Sequence, residues 1–179
     1  PITATITVTP FSNSCSGIPA TSQILVKPTP SLTPLSSTEV CNGSMVPGVV
    51  FTGSAITGTT YVWKNNDASI GLSTSGTGSI SAFTGTNNGI IPIISTIQVN
   101  AVADGCSSIT QTFTIRVNPT PSIANLANQT ICGNSTVTIA NFSGSNVAST
   151  VFNWTNNNPS IGLAASGSGN INSFTALNN

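Results

Sequence analysis

Few side chains in this 179-residue sequence could do chemistry, and they are thinly spread. There is no histidine, so the usual general base, the commonest metal ligand and the usual pH switch are all missing. The three carboxylates, Glu39, Asp67 and Asp104, lie too far apart in sequence to build a calcium cage unaided. Asp67 and Asp104 read instead as turn residues, and Asn158 stands 91 residues beyond Asp67. Cys15, Cys41, Cys106 and Cys132 include no Cys-x-x-Cys pair, which argues against zinc. Gly76-Thr77-Gly78 reads as a loop and not as a phosphate cradle, because neither a helix nor a lysine follows. Serines and threonines abound, yet nothing is present to activate them as nucleophiles. Trp63 and Trp154, beside Tyr61 and Phe152, could stack on a sugar, but a core position is the expected role. Asn-x-Ser/Thr triplets at Asn42, Asn128, Asn134, Asn141 and Asn153 are candidate glycosylation sites, weakened by the abundance of these residues. This inventory points away from catalysis and implies no metal and no cofactor.

Composition narrows the class further. Only 3% of residues are charged and the formal net charge is zero, which leaves no electrostatic footprint for nucleic acid or an anionic membrane surface. With 38% hydrophobic residues, the chain does not fit the highly charged, weakly apolar profile of disorder. Its polarity comes from Thr, Ser, Asn and Gly, which suit strands and turns. No apolar run approaches the roughly 20 residues of a membrane span. Pro1 opens directly into an alternating segment with no basic stretch or cleavage site, so the sequence is expected to begin inside something larger.

The elements that must position these residues follow from an internal repeat. Shifted by 91, the sequence lies on itself without a gap: Pro28-Thr29-Pro30-Ser31 on Pro119-Thr120-Pro121-Ser122, Cys41 on Cys132, Trp63 on Trp154, and Ser69-Ile70-Gly71-Leu72 on Ser160-Ile161-Gly162-Leu163. Cys15 likewise falls on Cys106 and Val26 on Val117. Residues 1–27 are therefore expected to be the last two strands of one repeat. Residues 28–118 form a complete repeat, and residues 119–179 begin another that lacks its last two strands. Ile2, Ala4, Ile6 and Val8 alternate with threonines, and Phe113, Ile115 and Val117 alternate with polar residues, the period of a half-buried strand. Asp104-Gly105 between two such runs signals a hairpin turn. Further short strands are expected over residues 49–52, 60–64 and 79–84, and no segment has helical periodicity. About seven strands per 91 residues gives an all-β fold of tandem immunoglobulin-like β-sandwich repeats. Pro28, Pro30, Pro119 and Pro121 stiffen the linkers, so the repeats should form a rod advancing very roughly 35–45 Å per module.

Val117-Asn118-Pro119-Thr120-Pro121-Ser122, Ile131-Cys132-Gly133-Asn134, Trp154-Thr155-Asn156-Asn157-Asn158 and Asp104-Gly105-Cys106 resemble the PKD-like repeats of very large bacterial surface proteins. These belong to gliding and biofilm-forming Gram-negative bacteria, often as type IX-secreted adhesins. The resemblance covers the whole chain and implies an extracellular sandwich used in tandem as a stalk or adhesive filament at the cell surface. Trp63-Lys64-Asn65-Asn66-Asp67 departs from the Trp-x-Phe-Gly-Asp-Gly turn of better-known PKD domains, so no role for an acidic turn carries over. An extracellular chain favours disulfides. Cys41 with Cys106 is the expected pairing, although in a simple immunoglobulin topology the two would lie at opposite ends. The alternatives are Cys15–Cys41 with Cys106–Cys132, bridges to neighbouring domains, or free thiols. The expected partners are neighbouring repeats or identical subunits, and surface glycans. Two organisations stay open, a window on a continuous array or a subunit whose leading hairpin completes the next copy. The alternative function is a carbohydrate-binding accessory module of a secreted protein.

Overall fold

The computed structural model describes residues 1–178, which divide into two compact units. One comprises Pro1–Thr86 with Ile93–Val117, and the other Asn87–Pro92 with the chain from Asn118 onward. The elements are almost all strands, joined only by single 3-10 turns at Ala68–Ile70 and Pro159–Ile161.

The first unit opens with a hairpin. Strand β1 (Ile2–Val8) and strand β4 (Ala20–Val26) pair antiparallel, and β2 (Phe11–Ser12) and β3 (Cys15–Ser16) extend them towards the tip. Eight further strands follow: β5 (Thr38–Cys41), β6 (Met45–Val46), β7 (Thr60–Asn65), β8 (Ser75–Thr77), β9 (Phe83–Thr84), β10 (Ile93–Ala103), β11 (Cys106–Ser107) and β12 (Gln111–Asn118). Six of them form a sheet in the order β5-β12-β10-β7-β8, with β11 added to β10, while β6 and β9 pair separately. This is a sandwich-like, nearly all-β unit.

Period two decides which face is buried. Along β10, Ser95, Ile97, Val99, Ala101 and Ala103 are buried, and along β12 so are Phe113, Ile115 and Val117. They pack with Val46, Phe51, Trp63, Ile70, Leu72 and Ile80 into one core. Asp104 (φ 51°) and Gly105 (φ 82°) both take left-handed conformations, as a primed two-residue hairpin turn requires, and Ala103 faces Cys106 across it.

The second unit contains β13 (Thr136–Val137), β14 (Asn153–Thr155), β15 (Ser166–Ser168) and β16 (Phe174–Thr175), which pair as β13-β16 and β14-β15. Its five residue pairs stand in the register of β6-β9 and β7-β8, each residue 91 further along the chain. The hairpin shows the same offset. All nine pairs of β1-β4 and β2-β3 recur 91 residues later in β10-β12 and β10-β11.

Three local expectations are corrected. Residues 49–52 contribute one bridge, Val49 with Ile80, and no strand. Residues 79–84 hold that bridge and the two-residue β9. Gly76 and Thr77 lie in β8 and not in a loop, and the turn comes only at Gly78. The reason is Trp63, whose indole lies flat on the Gly76 backbone: a Cβ built on Gly76 would sit 2.3 Å from its Cζ2. Trp154 covers Gly167 in the same way, at 2.2 Å. Sequence periodicity carries no sign of this, because the glycine is selected by a ring arriving from the neighbouring strand. Gly76→Ala should therefore destabilise the first unit by about 1–3 kcal/mol through overpacking. Urea denaturation measures this, and an unchanged midpoint would refute the close approach.

Candidate functional site

The polar residues that follow Trp63 hold local turns and strand ends. Asn65 is buried at the end of β7 and donates through Nδ2 to the carbonyls of Leu72 (3.0 Å) and Ser73 (3.2 Å). Its Oδ1 accepts from the Ser95 hydroxyl and from the Asp67 backbone N–H. Asn66 Oδ1 accepts from the Ser95 hydroxyl (3.0 Å) and from Thr96 N–H (2.7 Å). These bonds pin β7 to β10 where the chain leaves the sheet for the 3-10 turn. Asp67 caps that turn, its Oδ1 accepting from Ser69 N–H (2.9 Å) and the Ser69 hydroxyl (2.6 Å). The Ser69 hydroxyl first, and then its N–H, hold the Asp67 carboxyl below the usual aspartate range. Neutral Asn158 makes the same two contacts with Ser160, at 3.3 and 2.5 Å. The position thus needs an acceptor and no charge.

No group of three or more His, Cys, Asp or Glu that could hold a metal occurs among the described residues. Trp63 is buried and Trp154 half-buried, and the indole N–H of each is buried without a hydrogen bond. Trp63 belongs to the core of the first unit, with Gly76 against its ring. Of the candidate glycosylation sites, Asn128, Asn134, Asn141 and Asn153 are exposed, and Asn42 is half-buried. Pro30 and Pro119 are buried, while Pro28 and Pro121 are exposed.

All four cysteines are free thiols, with Cys15, Cys41 and Cys132 exposed and Cys106 half-buried. The expected Cys41–Cys106 bridge is absent, and strand directions explain why. The Ser37 hydroxyl accepts from Thr114 N–H, Glu39 Oε1 meets Arg116 Nε at 3.3 Å, and Val40 and Val117 converge on Gly85. Strand β5 therefore advances alongside β12 in the same direction and brings Cys41 to the Val117 end. Val117 faces Ile93 at the start of β10, whereas Cys106 faces Ala103 at its end. About ten residues at 3.3 Å each separate these ends by roughly 30 Å, far beyond the ~7 Å between Cα atoms that a disulfide allows.

The feature that sequence reasoning did not locate is a groove of about 660 Å³ in the second unit, with polar residues such as Asn128, Gln129, Asn158 and Ser160 among its lining. Leu126, Ile131, Val137, Ile161, Leu163 and Phe174 line it. Their partners 91 residues earlier, Leu35, Val40, Val46, Ile70, Leu72 and Phe83, belong to or pack against the core of the first unit. Ile70 is 0% exposed where Ile161 is 39% exposed. The repeat was the available signal, since it pairs each of these lining residues with a core residue of the first unit.

No protein-family model matches the chain, and no curated protein matches it either. No helix is long and apolar enough to cross a membrane among the described residues.

Two outcomes follow. Cys41→Ser and Cys106→Ser should each keep the thermal midpoint of the unmodified chain under oxidising conditions. A shared bridge would instead cost both variants about 2–4 kcal/mol under oxidising conditions. Because the folded Asp67 pKa is depressed below 3.8, its contacts with Ser69 stabilise at neutral pH and are lost as the pH falls through the carboxylate range. Asp67→Asn, which keeps the acceptor, should flatten that part of the fall in urea midpoint between roughly pH 6 and pH 3. An unchanged fall would remove the assignment.

Proposed function

We propose that this chain is a structural and adhesive segment of an extracellular filament or stalk on a bacterial surface, without catalytic activity. It is built from immunoglobulin-like, PKD-like repeats of 91 residues in tandem, with residues 28–118 one complete repeat and residues 1–27 and 119–179 parts of its neighbours. The observation that carries this reading is the return of the same strand register 91 residues on, in nine pairs of the hairpin and five pairs of the second unit. A chain that rebuilds one module in series grows in one direction, and each module contacts only its neighbours. Stiff proline joints and sandwich cores then carry tension along the array, while hydroxyl-rich faces meet water, glycans or sister filaments.

The carbohydrate-binding alternative loses its main support, because the indole faces needed for stacking lie against Gly76 and Gly167. Cys41 and Cys106 lie at opposite ends of one unit, which leaves Cys15–Cys41, Cys106–Cys132 and bridges to neighbouring domains as the pairings open to this chain. An antibody raised against this chain should decorate filaments on intact source cells, with an axial repeat of very roughly 35–45 Å. Labelling that appears only after permeabilisation would overturn the reading.

A further inference from the structure

We infer that Asn88 is a latent deamidation site, and that the side chain of Asn87 keeps it closed in the folded protein. This goes beyond the filament reading and does not depend on it, because the whole device lies within residues 87–91.

Asn-Gly occurs twice in the sequence, at Asn42-Gly43 and Asn88-Gly89. The dipeptide carries its own chemistry, because glycine has no side chain to shield its backbone nitrogen from the preceding amide. Once the Gly89 nitrogen gives its proton to a base in solvent, it can attack Cγ of Asn88. The N–Cγ bond forms, the Cγ–Nδ2 bond breaks, and the side-chain nitrogen leaves as ammonia after taking a proton from water. Water then opens the cyclic succinimide at either carbonyl, which leaves aspartate or isoaspartate at position 88. Either product adds a carboxylate to a chain with only three Asp and Glu, and isoaspartate also adds a methylene to the main chain shortly before β10.

The attack needs a bare Gly89 nitrogen, and the fold does not leave it bare. Gly89 N–H donates to Asn87 Oδ1 at 2.9 Å, and a Cβ built on Gly89 would meet that same oxygen at 3.3 Å. The bond is an Asx turn, in which one side chain holds the backbone two residues on. Its acceptor is fixed in place. Asn87 is 2% exposed and its Nδ2 donates to Ile91 O at 2.8 Å, so both ends of the amide are engaged. Asn88 itself is exposed, within reach of the water that the reaction consumes. Asn87 is therefore a positioning residue: it holds a proton on the nitrogen that would be the nucleophile.

Asn42-Gly43 is guarded by different means. Gly43 N–H donates to Gly85 O at 2.8 Å, a backbone bond that continues the β6–β9 pairing. Releasing that nitrogen requires the strand pair to open, whereas releasing Gly89 requires one side chain to let go. The two dipeptides thus separate loss of the fold from loss of the guard.

The test ages the unmodified 179-residue chain in mildly alkaline buffer, folded and in urea, and follows both asparagines by peptide mapping with mass spectrometry. Asn88 should convert at least about fivefold more slowly in the folded chain, the factor given by one hydrogen bond of typical net strength. Asn87→Ala should raise the folded rate at Asn88 by about the same factor and leave Asn42 unchanged. Asn87→Asp, which keeps an acceptor in that place, should keep Asn88 slow. Equal rates at Asn88 in the folded and unfolded chain would overturn the inference, as would a folded Asn87→Ala chain that stays slow. If Asn42 speeds up too, the variant has opened the fold, and amide exchange in the unmodified chain decides. There a protected Gly89 N–H upholds the guard, and exchange at the unfolded rate removes it.

Discussion

One constraint organises this protein: a strand pair that is apolar on one face must find a cover for that face. In the first unit β10 and β12 find it, and Ile97, Val99, Ile115 and Val117 leave water completely. Full burial of such side chains is worth about 1.5–3 kcal/mol each, and a chain with 3% charged residues has few ion pairs to contribute instead. The Arg116–Glu39 pair is exposed, a setting in which such pairs contribute little. Apolar cover, and not charge, holds the module together.

Polar side chains take the complementary task of fixing where strands end. Asn65, Asn66 and Ser95 lock β7 to β10, and Asp67 or Asn158 caps the turn that follows. All these groups act as local hydrogen-bond partners, whether neutral like Asn158 or charged like Asp67.

Free thiols at opposite ends of one unit fit the same logic. Cys41 is exposed at one end of the first unit and Cys106 half-buried at the other. Direction is the detail that matters here. Strand β5 runs alongside β12, so the first strand carries Cys41 away from the hairpin tip that carries Cys106.

The amino-acid sequence by itself determined the strand periodicity, the Asp104-Gly105 turn and the 91-residue offset, because each rests on short-range rules of pleat, turn geometry and self-comparison. It did not disclose that Trp63 would rest on Gly76, that residues 49–52 would be one bridge, or that Cys41 and Cys106 would lie far apart. Those depend on which strand arrives from elsewhere. The contrast is sharpest between residues 2–26 and 93–117, which share alternation, turn and register yet have opposite burial. Pattern specifies which face wants cover; only the tertiary structure decides whether cover is present, since burial belongs to both surfaces of a contact and a sequence pattern describes one.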